Sequence, residues 1–326
     1  MTTTPISPAN IHVSDKIASA VYEGLMSQPK WLPSWLFYDA AGSKLFDEIT
    51  QIPEYYVTRT ERGILAGRAA EIIGKAAGEN ALRIVELGAG SADKTRLLLT
   101  AAANRQQIVF YEPVDVSATA LVEAQMRIED ELPSVLVCPR VQDYTQDLEL
   151  DPTSPTEKRL LLYIGSSIGN FEPGESLLLL ERVRAAMDPG DCFLLGVDLV
   201  KDKAVLQAAY DDARGVTAAF NRNILVRLNR ELDADFNPSL FAHRAVWNQT
   251  ESRMEMHLVS GKKQEVWLPG IDLRVKFEMG ESIHTENSYK YRPGAAEALL
   301  AKAGFAPEET WADERGWFAV ILARAV

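Results

Sequence analysis

Residues 85–94 read Val-Glu-Leu-Gly-Ala-Gly-Ser-Ala-Asp-Lys, an apolar run that meets an acidic residue and then a glycine turn. Such a stretch is typical of a first β-strand that ends at a nucleotide site. Glycine allows a sharp turn and the close approach of a ligand, and the helix that follows offers unpaired N–H groups. The stretch therefore predicts a nucleotide-binding α/β fold, although an ordinary strand-to-helix turn can carry the same short pattern.

The identity of the nucleotide depends on what surrounds the glycines. The dinucleotide fingerprint G-x-G-x-x-G is incomplete, because Asp93 stands in the third glycine position and would lie close to a pyrophosphate. NAD and FAD are therefore disfavoured. Glu86 at the strand end suits a cationic ligand, and the amino group and sulfonium of S-adenosylmethionine are such cations. We accordingly expect Glu86, Gly88 and Gly90 to contact this cofactor.

The composition is that of a globular protein. The chain has 326 residues, 47% hydrophobic and 25% charged, and a formal net charge of −12. The negative charge, without a Lys/Arg-rich stripe, argues against nucleic acid as a partner. We find no apolar run long enough to span a bilayer and no signal peptide in Met1–Pro5, so we expect a cytoplasmic protein that does not bind membranes. Cys138 and Cys192 lie in apolar runs, which predicts buried, reduced thiols.

Strand-like and helix-like runs alternate from residue 83 onward, which predicts an α/β protein with a doubly wound, Rossmann-like parallel sheet. The predicted strands are Arg83–Leu87, Ile108–Val114, Val135–Val141, Leu160–Ile164, Cys192–Leu199 and Phe318–Ala323. The predicted helices are Lys94–Ala103, Ala118–Glu131, Gly174–Met187 and Ala295–Ala303, the last capped by Gly304.

The alternation is interrupted after the fifth strand. We expect residues 201–291 to form an inserted α+β substrate-binding lobe, with a helix at Ala204–Ala213 and strands at Arg253–Ser260, Gln264–Leu268 and Leu273–Phe277. Residues 1–60 are expected to be a helical segment that packs with this lobe. Residues 61–200 and 292–326 would then form the nucleotide-binding core.

Ligands of an open parallel sheet lie at the carboxyl ends of its strands. Asp115, after the second strand, can accept both ribose hydroxyls, although an aspartate can equally cap the helix that begins near Ser117. Asp143 and Tyr144, after the third strand, can bond and cover the adenine, but both residue types are also common in loops.

The turn after the fourth strand is unusually small and polar. Gly165 in this turn leaves room for an acceptor substrate. Asn170 can donate to a carboxylate and accept from an amine, which suits an amino acid, or it can be a simple turn residue before Pro173.

Other kinds of site have weaker support. We find no metal-ligand spacing between the histidines and a cysteine or carboxylate, and therefore expect no metal site; the histidines are His12, His243, His257 and His284. Asp211 and Asp212 are adjacent on a predicted helix and do not converge, which favours a solvated face. Nucleophile motifs of hydrolases are missing.

Taken together, longer motifs make the chain resemble the histidine Nα-methyltransferases of ergothioneine biosynthesis. The resemblance runs from about Trp35 to the last strand. Its motifs are Phe37-Tyr38-Asp39-Ala40 with Gly42-Ser43, Pro53-Glu54-Tyr55-Tyr56 with Thr58-Arg59-Thr60-Glu61, Val85-Glu86-Leu87-Gly88, Gly165-Ser166-Ser167-Ile168-Gly169-Asn170, Asp198-Leu199-Val200-Lys201-Asp202 and Ala218-Ala219-Phe220-Asn221.

The resemblance implies S-adenosylmethionine-dependent trimethylation of L-histidine to hercynine. It implies that a set of matching residues contacts the cofactor, namely Tyr38, Gly88, Lys94, Asp115, Asp143 and Tyr144, the last in a position where the family often has phenylalanine. It further implies that Tyr55, Asn170 and Tyr210 hold or position the amino-acid backbone, that Glu286 and Ser288 grip the imidazole and that Met256 lines the pocket. Tyr55 and Asn170 are the expected catalytic residues.

Three alternatives remain open at this point. The first is a methyltransferase of the same fold that acts on another small amine or amino acid. The second is a catalytically silent, adenosine-binding regulatory protein, and the third is an NAD-dependent dehydrogenase, which Asp93 disfavours. We expect a monomer whose partner is a small-molecule substrate.

Overall fold

The computed structural model describes residues 8–90, 92–146, 148–154 and 156–326, so Ser91 of the glycine turn lies outside the described residues. Side chains are described from Lys16 onward. The helices are α1 Pro8–Met26, α2 Ala40–Gln51, α3 Val57–Ala77, α4 Thr95–Ala103, α5 Ala118–Glu131, α6 Pro173–Ala185, α7 Lys203–Tyr210, α8 Val216–Glu231 and α9 Ala295–Lys302.

The strands, in chain order, alternate with these helices in the first half of the protein. They are β1 Lys30–Trp31, β2 Ala81–Leu87, β3 Val109–Asp115, β4 Val135–Val137, β5 Arg140–Val141, β6 Glu157–Tyr163, β7 Cys192–Asp198, β8 Phe241–Asn248, β9 Arg253–Ser260, β10 Gln264–Leu268, β11 Leu273–Phe277, β12 Ser282–Tyr289, β13 Phe305–Ala312 and β14 Phe318–Ala325.

The chain divides into two compact units. One, here called the core unit, comprises Val57–Val200 and Tyr289–Val326, and the other, the insert unit, comprises the chain up to Tyr56 together with Lys201–Ser288. The divisions that the sequence predicts after residues 60, 200 and 291 lie close to these boundaries. No helix among the described residues has both the length and the apolar character needed to cross a bilayer.

The core unit is built on one large sheet with the strand order β13-β14-β7-β6-β2-β3-β4, and β5 pairs with β3 beyond β4. Strands β7, β6, β2, β3 and β4 are parallel. From β2 the chain runs outward to β3 and β4 and then crosses back to β6 on the other side of β2, so the switch point where doubly wound sheets bind ligands lies between β2 and β6. The predicted Rossmann-like fold is confirmed.

One edge of this sheet differs from the prediction of a parallel sheet. Strand β14 runs antiparallel to β7, and β13 runs antiparallel to β14. The sequence analysis missed β13, because its residues 305–312 alternate imperfectly and include Pro307. A bulge lies in this strand between Pro307 and Glu309.

The predicted strand Val135–Val141 is interrupted. Cys138 and Pro139 separate β4 from β5, and proline has no N–H to donate to a sheet. Cys138 is consequently exposed, contrary to the expectation that both thiols are buried, whereas Cys192 on β7 is buried; neither is in a disulfide.

The insert unit has its own sheet with the order β1-β12-β9-β8, and β10 and β11 form a separate hairpin. On β9 every second residue is buried, from Met254 to Ser260, so this strand has one covered and one more open face. Aromatic side chains join the first part of the chain to α8: the Phe37 ring stacks on Phe220 with 4.5 Å between centroids. Strands β8 and β12 and helix α8 are further elements that the sequence analysis did not predict.

Candidate active site

The glycine turn after β2 has the conformation that its sequence predicts. Gly88 and Gly90 have φ angles of +67° and +49°, in the left-handed region that favours glycine. The Gly88 N–H donates to Val114 O over 2.8 Å, which ties the turn to the neighbouring strand β3. A side chain at Gly88 would begin 3.3 Å from the Tyr144 hydroxyl, so the backbone here is open only because glycine occupies it.

Glu86 has a position that the sequence did not anticipate. Its side chain is buried, and its two oxygens accept hydrogen bonds from the hydroxyls of Thr95, at 2.6 Å, and Tyr111, at 2.5 Å. Burial raises the pKa of Glu86 to about 7, against the opposing effect of these two hydrogen bonds. The carboxyl group therefore braces the turn against α4 and β3, and its role as a direct cofactor contact stays a prediction.

Asp115, at the end of β3, faces the glycine turn. One carboxylate oxygen accepts from the Gly90 N–H at 3.2 Å and the other from the Ser117 N–H at 2.9 Å. Ser117 itself caps α5 by accepting from Ala120 N–H, so the helix does not depend on Asp115 for its cap. This arrangement leaves Asp115 beside the turn, where the sequence analysis expected a ribose ligand.

Asp143 and Tyr144 lie at the next strand end. Asp143 accepts from the Thr145 backbone N–H at 3.1 Å and from its hydroxyl, so the carboxylate shapes its own turn. The Tyr144 ring packs edge-on against Tyr163, with 5.8 Å between centroids, and burial raises its pKa to about 12. Tyr144 is thus a neutral ring that borders Gly88.

A buried carboxylate, Glu61 of α3, organises the far side of the turn. Its side chain is fully buried, forms an ion pair with Lys94 and accepts from the Gly165 N–H at 2.8 Å. Glu61 thereby links α3, the start of α4 and the turn after β6. A Cβ atom on Gly196 of β7 would lie 2.1 Å from the Glu61 Oε1 atom, so this carboxylate fits only against glycine.

Glu61 is a site residue that the sequence analysis missed, although it belongs to a quoted motif. A signal was available: Val57, Ile64 and Leu65 are buried on the same face of α3, and Glu61 stands at helical spacing among them. A charged residue in the apolar stripe of a helix needs a partner, and here that partner is Lys94.

The turn after β6 is tightly constrained. Gly165 and Ser166 have successive positive φ angles of +88° and +61°, and Ser166 Oγ accepts from the Asp198 N–H at 2.9 Å. The short helical turn Ser167–Asn170 follows, in which Asn170 is half-buried. A left-handed serine is uncommon and costs free energy, and such positions often belong to functional sites.

In the insert unit, the two predicted tyrosines of the first segment share one aromatic neighbour. Tyr38 and Tyr55 both contact the Phe46 ring edge-on, with centroid distances of 5.7 Å and 6.2 Å. Tyr55 is buried and Tyr38 is 41% exposed. Asp39 caps α2 by accepting from Gly42 N–H at 2.7 Å and also accepts from Asn223 at 2.8 Å, which fixes the backbone next to Tyr38.

The residues expected to hold the acceptor come from several elements of the insert unit. The Tyr210 hydroxyl, at the end of α7, donates to Ser288 Oγ on β12 over 2.7 Å. Met256 on β9 is buried, and its carbonyl accepts from the Thr285 hydroxyl on β12 at 3.1 Å. Glu286 lies between Thr285 and Ser288 on the same strand and is partly exposed. The structure therefore brings Tyr210 to Ser288 and places Met256 beside the strand that carries Glu286.

Asp211 and Asp212 do not form a catalytic pair. Asp212 accepts from the backbone N–H groups of Val216, at 3.0 Å, and Thr217, at 2.8 Å, and these bonds lower its pKa against the effect of burial. Asp212 thus binds the first residues of α8. The sequence predicted a solvated position for it, but its side chain is buried.

Two of the histidines lie close to a carboxylate. Glu255 and His257 alternate on β9 and therefore share a face, and His284 on β12 stacks on His257 with 4.8 Å between ring centroids. One ligand atom from each of these three residues lies within 4.8 Å of the others. These three side chains come together because β9 and β12 are neighbours, which no spacing in the sequence indicates, and the expectation of no metal site stays a prediction. His243 instead bonds Asn221 and Tyr210 O, and the His12 side chain lies outside the described ones.

The core unit fits a nucleoside with an amino-acid tail. A turn with glycine at residues 88 and 90, an acid at the end of β3 and a buried ring beside Gly88 are the features that a ribose and an adenine need. Lys94 supplies a cation for a carboxylate, although in the structure it is paired with Glu61. The donor set therefore suits S-adenosylmethionine better than a dinucleotide.

Comparison with known proteins decides the family. The family model described as a histidine-specific, S-adenosylmethionine-dependent methyltransferase matches residues 17–325. The chain belongs to this family. It is accordingly an S-adenosylmethionine-dependent methyltransferase, which confirms the resemblance and removes the dehydrogenase alternative.

Two bacterial relatives of this methyltransferase are similar over nearly their full length, and a fungal one over about a third of its length. The histidine N-alpha-methyltransferase of Mycobacterium tuberculosis is 45% identical over 303 residues, 93% of each chain. That of Mycolicibacterium smegmatis is 45% identical over 322 residues, 98% of this chain and 99% of the relative. Ergothioneine biosynthesis protein 1 of Neurospora crassa is 28% identical over 297 residues, which are 87% of this chain but 32% of that protein.

Proposed function

We propose that this enzyme transfers three methyl groups in succession from S-adenosylmethionine to the α-nitrogen of L-histidine, giving trimethylhistidine (hercynine). The proposal places the protein in ergothioneine biosynthesis. The observation that carries it is that a carboxylate, Glu286, and a hydroxyl, Ser288, lie two residues apart on β12, and that Ser288 Oγ accepts a hydrogen bond from Tyr210. Histidine is a side chain with two ring nitrogens that such a pair can bond.

The cofactor would be held by the glycine turn and its neighbours. Gly88 and Gly90 allow close approach, Asp115 would take the ribose hydroxyls, and Asp143 and Tyr144 would receive the adenine. Lys94 would face the carboxylate of the cofactor, and Tyr38 would add a further contact. We assign Glu86 an indirect role, since its oxygens already accept from Thr95 and Tyr111.

Selectivity for histidine would come from hydrogen bonds to its ring that other amino acids cannot form. Glu286 can accept from an imidazole N–H, and Ser288 can serve the other ring nitrogen. A leucine or phenylalanine could make neither of these hydrogen bonds, at a cost of about 1 to 3 kcal/mol for each. Met256 would complete the apolar wall of the ring pocket.

The amino-acid backbone would be oriented by Tyr55, Gly165, Asn170 and Tyr210. Each transfer needs a neutral amine whose lone pair is in line with the sulfonium–methyl bond, so positioning contributes most. The bound cofactor supplies an electrophilic methyl group and a positive charge. This charge favours deprotonation of the substrate ammonium, so Tyr55, directly or through water, can relay the proton without a strong base.

In each of the three transfers, one proton first leaves the nitrogen, and an N–C bond then forms while an S–C bond breaks. The third product is a quaternary ammonium that has no proton to lose and no lone pair. The reaction therefore stops at three methyl groups for chemical reasons.

Mass spectrometry tests the proposal. Purified enzyme is incubated with S-adenosylmethionine and each of the twenty amino acids, with synthetic mono- and dimethylhistidine as further substrates. We expect mass gains of one, two and three methyl groups on histidine alone, and conversion of both intermediates. Methylation that ends after one group would refute the successive scheme, and methylation of another amine would refute the specificity. No product despite cofactor binding would support a silent adenosine-binding protein.

A further inference from the structure

Three polar side chains in the insert unit form a cluster that the proposed methyl transfer does not use. Glu255 and His257 lie on β9, and His284 lies on β12, its neighbour in the sheet. We propose that Glu255, His257 and His284 form a binding site for a divalent transition-metal ion, and that Zn²⁺ is the ion best suited to it.

The strand geometry makes the cluster a chelating one. Residues two apart on a strand point to the same face, so Glu255 and His257 project together, away from the buried side of β9 that carries Met256. His284 approaches from the adjacent strand, and its ring lies nearly parallel to that of His257, with an interplanar angle of 23°. Two rigid strands thus fix all three ligands, which lowers the entropy lost on binding an ion.

The distances suit a small ion. His257 Nε2 lies 3.3 Å from Glu255 Oε2. Two ligands at about 2.1 Å from a tetrahedral zinc ion are about 3.4 Å apart, so an ion can replace this long hydrogen bond with little movement once the proton of His257 Nε2 has moved to Nδ1 of the same ring. All three ligand atoms lie within 4.8 Å of one another, so the most distant pair must approach by up to about 1.4 Å when an ion binds. The other ring nitrogen of His257, Nδ1, is buried and has no hydrogen-bond partner among the described residues, so no second bond restrains this ring.

His284 is already oriented as a metal ligand. Its Nε2 lies 3.0 Å from the Glu286 carbonyl oxygen, and because a carbonyl only accepts, Nε2 carries the proton. Nδ1 is then the ring nitrogen that remains for an ion. Metal-bound histidines characteristically donate their other N–H to a backbone carbonyl or carboxylate in this way.

The charges around the cluster are compatible with a cation. Glu255 Oε1 accepts from Asn248 at 2.9 Å and Arg253 at 2.8 Å, and these contacts lower the pKa of Glu255 to about 2 although burial opposes them. Burial lowers the pKa of His257 to about 4. Two arginines lower the affinity of the cluster for a cation by like-charge repulsion. They are Arg253 and Arg244, and Arg244 lies opposite His257 in the register of β8 and β9.

The ligand set selects among ions. Two imidazoles and one carboxylate suit Zn²⁺ and related transition metals, whereas Ca²⁺ and Mg²⁺ prefer oxygen ligands. Three protein ligands leave a fourth position for water. Since His284 is bonded to the backbone of Glu286, a bound ion would also stiffen β12 next to that residue.

The test is direct binding of Zn²⁺ and Co²⁺ to the full chain, without histidine, because the free amino acid chelates both ions. Calorimetry with Zn²⁺ is expected to show one ion per chain, and Co²⁺ is expected to give the ligand-field absorption of a nitrogen- and oxygen-ligated ion. His257→Ala, His284→Ala and Glu255→Gln should each weaken binding at least tenfold. Glu251→Gln is the matched control, since this exposed glutamate precedes β9 but lies outside the cluster.

Each outcome is decisive. Loss of binding in the three variants, with Glu251→Gln unchanged and all four variants folded by circular dichroism, supports the site. Should one alanine variant unfold, His284→Gln, which removes the ligand but keeps a polar side chain, takes its place. No wild-type binding, or binding equal in variants and control, overturns the proposal, and so does selectivity for Mg²⁺ over Zn²⁺.

Discussion

The two units build their polar groups in different ways. In the core unit, the groups of the candidate cofactor site come from short turns at the ends of β2, β3 and β5, and the buried carboxylates Glu86 and Glu61 form hydrogen bonds that support these turns. In the insert unit, the candidate acceptor residues come from separate elements, as when Tyr210 of α7 meets Ser288 of β12. A shared cofactor can be served by a fixed local motif, whereas an acceptor is recognised by residues that only tertiary structure assembles.

The largest expected effect tests whether the core unit tolerates a side chain at Gly196, where β7 packs against the Glu61 carboxylate. Gly196→Ala would place a Cβ atom 2.1 Å from Glu61 Oε1 and displace a buried, paired carboxylate. We expect a loss of more than about 3 kcal/mol in the free energy of unfolding, measured by denaturant titration. Gly67→Ala on the exposed face of α3, where the new Cβ meets nothing within 4 Å, is the control and should be neutral or stabilising. Equal stability of both variants would show that the carboxylate moves freely.

Glu86 gives a pH-dependent test of the same unit. Folding raises the pKa of Glu86 from 4.5 to about 7. Between pH 4.5 and pH 7 the folded protein therefore keeps a proton on this group that the unfolded chain has already released. Stability from this group is therefore present below about pH 4.5 and is lost as the pH rises to 7, by about 3 kcal/mol in total. Glu86→Gln should remove this loss when unfolding is measured from pH 5 to 8. Parallel pH profiles of the two proteins would contradict the assignment.

A change in the insert unit should alter the selection of the acceptor without altering the binding of the cofactor. Glu286→Ala is expected to raise the KM for histidine about 10- to 100-fold and to relax selectivity towards other aromatic amino acids, because an imidazole N–H loses its acceptor. Cofactor affinity, measured by calorimetry, should not change. Unaltered selectivity would assign recognition of the ring to other residues.

Tyr55→Phe tests whether a residue of the insert unit takes part in the chemical step as well as in binding. If the hydroxyl relays the ammonium proton, turnover should fall about tenfold while cofactor affinity is retained. The ring contact with Phe46 is preserved in this variant, so the fold should be unaffected. A steady-state kcat equal to that of the wild type would exclude the relay.

The smallest effect concerns the hydroxyl pair of the insert unit. Tyr210→Phe and Ser288→Ala each remove one partner of the 2.7 Å hydrogen bond, and the double variant should lose less binding energy than the sum of the two. We expect a coupling of about 1 kcal/mol in histidine affinity, measured by calorimetry. Additive losses would show that the two hydroxyls act independently.

Sequence reasoning succeeded where the determinants were local. The turn at Gly88 and Gly90 needs positive φ angles, and only glycine adopts them easily, so the pattern predicts both the turn and its place after β2. The alternation of strands and helices likewise predicted the parallel part of the core sheet.

It failed where distant residues meet. Nothing in the spacing of His257 and His284 shows that β9 and β12 are neighbours, since that contact depends on how the insert folds. The buried partners of Glu86, in contrast, lie on α4 and β3. The positions of both elements were predicted, but the face on which each side chain lies was not. Strand β13 was hidden by its bulge at Pro307.

The strand order of the core sheet has a consequence for synthesis on the ribosome. Strand β7 needs β14 as its antiparallel partner, and β14 is made only after the whole segment Lys201–Ser288 has been translated. Until then one edge of β7, with its apolar side chains, has no neighbour, and the nascent sheet presents a strand edge that invites pairing with other chains. Slow translation or depletion of chaperones should therefore harm the yield of this enzyme more than the stability of the finished fold would suggest.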